Sequence, residues 1–232
     1  MQPAIKQFTN GKKLDSELCK LLRDIINSSI VDKGYSSIAI SGGQTPLNLY
    51  KLLSKEKIDW TKVFISIVDE RCVTDEENSN MRNIKESFNF SEDNHPQLFG
   101  HLYKIKKDKA TLIGKRIRAP LPFDFVLLGM GEDGHIASIF PNQEDTSLLL
   151  SSDCDHEILL VKTNDLFKRR VTFTLPAITN TKLIILILKG RSKIEALQRA
   201  INYDIEDINM MPVRALFLQD NILIRIFQSN EK

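Results

Sequence analysis

Four short apolar runs in this chain each stop abruptly at a polar or glycine-rich segment, and that pattern narrows the folds open to it. Ser37–Ile40 gives way to Ser41-Gly42-Gly43-Gln44-Thr45, and Val63–Val68 to Asp69-Glu70-Arg71. Phe125–Leu128 gives way to Gly129–His135, and Leu183–Leu188 to Lys189-Gly190-Arg191-Ser192-Lys193. Continuous apolar runs of this kind read as strands buried on both faces, the mark of a parallel sheet covered by helices. Helical signals fall between them. Leu14, Leu18, Leu21, Leu22, Ile25 and Ile26 share one face of a helix over 14–31, which Gly34 closes. Pro46 suits the first turn of a helix running to about Leu53, and another helix follows Lys193 to about Ile201. Residues 157–163 make a further strand. Near the end, Ala215–Leu218 and Ile222–Phe227 flank Asp220-Asn221 and predict a strand pair with a tight turn.

Strands alternating with helices predict an α/β fold, a Rossmann-like three-layer αβα sandwich with a mainly parallel sheet. No repeat or linker divides the 232 residues, so 1–232 is expected to be a single domain. Parallel strands send their carboxyl ends to one edge, where ligands bind in open sheets. All four polar segments should therefore converge on one site.

Ser41-Gly42-Gly43-Gln44-Thr45-Pro46 has the chemistry of an anion cradle, with exposed backbone N–H groups, two hydroxyls and a helix start. A glycine turn with Thr45 as helix cap is the bland alternative. The loop is not a Walker A motif, since GxxxxGK[ST] is absent. Asp69 and Glu70 serve either a substrate or a local salt-bridge network, whereas Arg71 is a candidate ligand for phosphate or carboxylate. Gly129, Gly131 and Gly134 match G-x-G-x-x-G, but Glu132 and Asp133 would set negative charge beside a pyrophosphate. The better reading is a loop that presents Asp133 and His135 to a small substrate, because a histidine there can move protons near neutral pH. Arg170 and Lys193 add positive charge at the same edge. The remaining histidines, His95, His101 and His156, lie in polar stretches and are read as incidental.

Composition removes other classes. Lys plus Arg total 32 against 30 Asp plus Glu, which gives no electrostatic case for nucleic acid or a membrane surface. The cluster Lys104, Lys106, Lys107 and Lys109 is read as solvated surface. Three scattered cysteines form no metal or disulfide framework and fit a reducing cytoplasm. No apolar run reaches the ~18 residues of a membrane span, and the N-terminus lacks the apolar core of a secretion signal. A soluble cytoplasmic protein, monomeric or a weak homodimer, is expected.

Taken in order, Ser41–Pro46, Asp69-Glu70-Arg71 with Ser79-Asn80, Gly129–Pro141, Arg170-Val171-Thr172 with Leu175-Pro176, and Gly190 with Lys193 resemble the 6-phosphogluconolactonases. The resemblance spans about residues 40–195 and implies the NagB/RpiA/CoA-transferase-like type of sandwich. The wider superfamily includes glucosamine-6-phosphate deaminase, which typically carries tyrosine where Arg71 stands and asparagine-glutamate before the final proline of its block. Ser138-Ile139-Phe140-Pro141 stands here instead, as in the lactonases. Gln44 departs from the usual serine or threonine, and the end of the chain from Phe217 lacks the tryptophan- and alanine-rich finish of many relatives. What the resemblance implies is hydrolysis of 6-phospho-D-glucono-1,5-lactone to 6-phospho-D-gluconate in the oxidative pentose phosphate pathway, without metal or cofactor. His135 is then the general base and Asp133 its partner. Ser41, Gly42, Gly43, Gln44, Thr45, Asp69, Arg71, Gly131, Arg170 and Lys193 bind the phosphorylated sugar lactone. The rivals are a glucosamine-6-phosphate deaminase or isomerase, with Asp69 abstracting a carbon-bound proton, and a non-catalytic sugar-phosphate binding protein.

Overall fold

The computed structural model describes residues 3–106, 109–202 and 207–231, so Lys107 of the lysine cluster lies outside the described residues. The chain opens with β1 (Ala4–Phe8) and α1 (Gly11–Lys33). Asn10 starts the helix by accepting the Lys13 N–H at 2.9 Å, and Gly34 ends it in the left-handed conformation (φ 84°). Next come β2 (Ser36–Ile40), α2 (Leu47–Leu53), β3 (Val63–Ile67), β4 (Asp69–Arg71), α3 (Asn80–Phe88), β5 (Gln97–Phe99), and the antiparallel pair β6 (Tyr103–Lys106) and β7 (Lys109–Leu112). The second half runs β8 (Phe125–Leu128), α4 (Thr146–Leu150), β9 (Ile158–Lys162), β10 (Arg169–Phe173), α5 (Leu175–Ile178), β11 (Leu183–Lys189), α6 (Arg191–Ile201), α7 (Arg214–Phe217) and β12 (Leu223–Ser229).

Seven strands form one sheet in the order β1-β12-β11-β8-β2-β3-β5, every neighbouring pair parallel. From β2 the chain moves outward to β3 on one side, and from β8 to β11 on the other. The order therefore reverses between β2 and β8, and their carboxyl ends open the crevice where doubly wound sheets take ligands.

Alternation along the central strands builds two cores. Ile38, Ile40, Phe125, Leu127, Ile185 and Ile187 face the side covered by α1, α2 and α3, with Leu14, Leu18, Tyr50, Trp60 and Phe88. Ala39, Val126, Leu128, Ile184, Leu186 and Leu188 face the other side. That second layer is not purely helical. Besides residues of α4 to α7 it contains Val161, Val171 and Phe173 from a three-stranded antiparallel sheet, β4-β10-β9. The chain enters this small sheet at Val68, whose N–H still donates to Ile40 while its carbonyl accepts from Phe173.

One expectation fails at the C-terminal end. Ala215–Leu218 is no strand, for α7 covers Arg214–Phe217 and β12 lies parallel between β11 and β1. The turn of helix begins at Pro212, with Arg214 N bonded to Met211 O and Ala215 N to Pro212 O, and it buries Ala215 and Leu216. Four apolar residues in a row carry no period that separates helix from strand. No helix among the described residues is long and apolar enough to cross a membrane.

His101, expected to be incidental to the chemistry, lies partly buried in the frame of the fold. Its ring meets Phe173 edge-on at 5.5 Å. Burial pushes the imidazole down to about 4, and the nearby backbone of Ile67 and Val68 offsets only part of that. An unfolded chain takes up this proton near pH ~6.5, so stability is complete above that value and falls, by on the order of 3 kcal/mol, as the pH drops toward about 4. Urea unfolding of His101→Gln against wild type between pH 7 and 4 should show a shallower decline in the variant. Parallel curves would mean that the ring is not held neutral in the folded protein.

Candidate active site

The segment after β8 folds back on itself at once. Gly131 N donates to His135 O at 2.9 Å, and Gly134 N to Gly131 O at 3.1 Å. Within that turn the His135 N–H reaches Asp133 Oδ1 at 3.1 Å, and ring Nδ1 lies 2.7 Å from the same oxygen. Partial burial would raise the Asp133 carboxyl, yet the hydrogen bonds and charge of His135 outweigh it and hold the group below its ordinary value. An ionised Asp133 accepts a hydrogen bond from Nδ1–H, so the lone pair of the neutral ring sits on Nε2. A side chain on Gly131 would run into both the His135 ring and the Asp133 carboxylate. Gly131, expected to admit substrate, instead makes room for the protein's own pair.

The His135 side chain is 30 % exposed and lies against Phe140, the rings tilted by 33° with centroids 4.3 Å apart. It faces an open cavity of about 450 Å³ whose walls also include Asp133, Asn164 and Asp165. Asp165 hydrogen-bonds Arg170 directly, which ties the cavity to the small antiparallel sheet. There Asp69 pairs with Thr172 and Arg71 with Arg170 across the β4–β10 register. Arg170 (side chain 7 % exposed) also lies 3.8 Å from Asp69 and 5.1 Å from the Phe140 ring. Asp69 is buried and occupied. It accepts from Ser138 Oγ at 2.6 Å and from Asn80 Nδ2, and its other neighbour is Arg170.

Glu70 belongs to the frame. It accepts from the N–H groups of Arg71, Asn80 and Met81 and from Ser79 Oγ, clamping the start of α3. Burial pushes its carboxyl up, and those four donors pull against the shift. Arg71 donates to Asn78 O at 3.0 Å and lies 5.0 Å over the Phe167 ring, which Arg170 also approaches at 5.9 Å. The Arg71 Nε is buried with no hydrogen-bond partner among the described residues.

The Ser41–Thr45 loop leaves β2 at the reversal point. Gly42 packs on Asn80 so tightly that a Cβ there would overlap it, while a Cβ on Gly43 would meet nothing. Ser41 Oγ accepts from Gly129 N at 3.4 Å, joining this loop to the histidine loop. Thr45 makes no helix cap, since Pro46 flanks α2, and its hydroxyl accepts from Lys193 at 3.2 Å. Ser192 holds Glu132 at 2.6 Å, so the start of α6 is fastened to both loops. Gln44 is exposed and joins none of these contacts.

Contacts thus link Ser41 to Gly129 at the head of the Asp133–His135 turn, Thr45 to Lys193, Arg170 to Asp165 in the cavity wall, and Arg71 to Phe167, while Gly42 and Gly43 lie in the Ser41–Thr45 loop. Sequence reasoning missed Asp165 and Phe167. Reading 157–174 as one hairpin would have set both at its tip. Among the described residues no group of three or more His, Cys, Asp or Glu is placed to hold a metal ion.

The family model for glucosamine-6-phosphate isomerases/6-phosphogluconolactonase matches residues 9–224. A 6-phosphogluconolactonase of Pseudomonas aeruginosa is 30 % identical over 195 residues, covering 82 % of this chain and 81 % of its own. A probable 6-phosphogluconolactonase of Oryza sativa is 32 % identical over 222 residues, 85 % of this chain and 76 % of its own. The crystal structure of a 6-phosphogluconolactonase from Shewanella baltica superposes with a TM-score of 0.87 at 28 % identity, over 98 % of each chain. A monomeric glucosamine-6-phosphate deaminase shares the fold alone, at a TM-score of 0.72 and 18 % identity.

Because Gly131 clears the space of the Asp133–His135 pair, Gly131→Ala should lower the turnover of this site at least ~10-fold, with a melting temperature near wild type. Unchanged turnover would show that the pair is not held in this geometry when the site works.

Proposed function

The chain belongs to the family of glucosamine-6-phosphate isomerases and 6-phosphogluconolactonases, and from that premise we propose that His135 and Asp133 carry its hydrolytic step. The reaction is the lactonase one, conversion of 6-phospho-D-glucono-1,5-lactone to 6-phospho-D-gluconate in the pentose phosphate pathway. The single observation that carries the residue assignment is the 2.7 Å contact between Nδ1 and an ionised Asp133, beside an open cavity. Nε2 takes a proton from water as its oxygen bonds to the lactone carbonyl carbon, giving a tetrahedral oxyanion. Asp133 steadies the imidazolium. The oxyanion collapses, the bond to the ring oxygen breaks, and His135 returns its proton to that oxygen. The new acid group then ionises to carboxylate. Loop N–H groups and nearby cations steady the oxyanion.

Ser41–Thr45 and Lys193 form the cradle for the phosphate, with Arg71 and Arg170 as further positive groups around the substrate. The open space at Gly43 supports this, since the protein itself makes no use of it. Asp69 is a poor base for the isomerase reading, because Ser138, Asn80 and Arg170 already engage it. A phosphate sensor has no need of the Asp133–His135 pair. Action as a monomer or weak homodimer belongs to the same reading. The near-balanced charge supports a role without nucleic-acid or membrane partners, and the free cysteines Cys19, Cys72 and Cys154 support a reducing, cytoplasmic setting.

His135→Asn should cut kcat by ~10²–10⁴-fold with the fold intact, and lactone hydrolysis measured at mildly acidic pH, where spontaneous opening is slow, tests it directly. Activity near wild type would remove His135 from the mechanism. Lys193→Met should instead raise KM about 10-fold with kcat within a factor of two. A KM left at the wild-type value would move the phosphate elsewhere.

A further inference from the structure

Beneath the Ser41–Thr45 loop lies an ion pair that the chemistry above does not use. Lys189, the last residue of β11, is 9 % exposed, and Asp15, on the inner face of α1, is 1 % exposed. Lys189 Nζ lies 2.6 and 2.7 Å from the two Asp15 oxygens and donates to the carbonyl oxygen of Thr45 at 3.2 Å. Asn48, in the first turn of α2, donates to Asp15 Oδ2 at 2.7 Å. Three elements remote in sequence thus meet under one residue of the cradle. Thr45 is gripped twice, its carbonyl from below by Lys189 and its hydroxyl by Lys193.

Taking two charges out of water is costly, and well-packed apolar residues in their place are often neutral or stabilising. Fold stability is therefore a weak reason for this pair. What leucine and methionine could not do is hold a backbone carbonyl. The peptide after Thr45 leads into Pro46, which has no N–H. That peptide offers an anion nothing except its oxygen, which would repel it. We propose that Lys189, held by Asp15, is a positioning residue for phosphate recognition. It keeps the Thr45 carbonyl turned into the body of the protein, so that the anion meets only N–H groups, hydroxyls and Lys193. The proposal rests on the cradle reading given above.

Steady-state kinetics of Lys189→Met and of the double variant Asp15→Leu/Lys189→Met test it, with the phosphorylated lactone and with unphosphorylated D-glucono-1,5-lactone. Lys189→Met should raise KM for the phosphorylated lactone about 10-fold and weaken competitive inhibition by inorganic phosphate to match. Its kcat, and kcat/KM for the unphosphorylated lactone, should change by less than about twofold. The double variant should regain the melting temperature of wild type while its KM stays raised. Recovery of KM along with the melting temperature, equal losses on both lactones, or a double variant that cannot fold would each assign the pair to the fold and overturn the proposal. Lys193→Met separates the two readings. If it leaves KM and phosphate inhibition untouched, the cradle itself is misplaced. If it acts while Lys189→Met does not, only the positioning role falls.

Discussion

The parallel pairing of β2 with β8 is the constraint on which the rest of this molecule depends. Ile38, Ala39 and Ile40 register with Phe125, Val126 and Leu127, so the two strands end side by side. Because the order of the sheet reverses at that pair, no crossover helix covers the gap beyond their ends. The cradle loop and the histidine loop leave from there and touch through Ser41 and Gly129. Each element further along serves that junction. The small sheet brings Arg71 and Arg170 abreast, α6 ties Glu132 and Thr45 together, and the turn before α7 sets Met211 against Gly134.

The charges around the site divide into those that are spent and those that are available. Glu70 is consumed by four donors at the start of α3, and Asp69 by Ser138, Asn80 and Arg170. Arg170 is in turn held between Asp69 and Asp165. Asp69 and Asp165 are thus committed to Arg170, and Glu70 to the start of α3. Among the described residues, Asp133, whose carboxyl His135 holds low, is the acid that meets the imidazole directly.

Much of this was legible in the residues. Long apolar runs with no alternation forced strands buried on both faces, and their polar ends forced a shared edge. The Asp133–His135 pair is visible because it closes within a single turn, where spacing and geometry nearly coincide. What stayed hidden is what depends on contacts distant in sequence. Nothing local distinguishes Asp15, inside an ordinary amphipathic helix, from a solvated acid, and its partner lies 174 positions away. Asp165 and Phe167 gain their meaning only when the β9–β10 hairpin lies across Arg71 and Arg170. Glu70 looked equally suited to ligand or frame until the start of α3 arrived on it. The C-terminal helix escaped notice because four apolar residues hold too little periodicity to declare themselves.

The turn that carries the imidazole is closed by its own neighbours, whereas the anion nest draws on the first helix, the opening of the second and the end of β11. Damage far from the crevice should therefore erode discrimination before it erodes reactivity. A variant loosened at its periphery would go on opening lactones, but would grow careless about which ones it accepts.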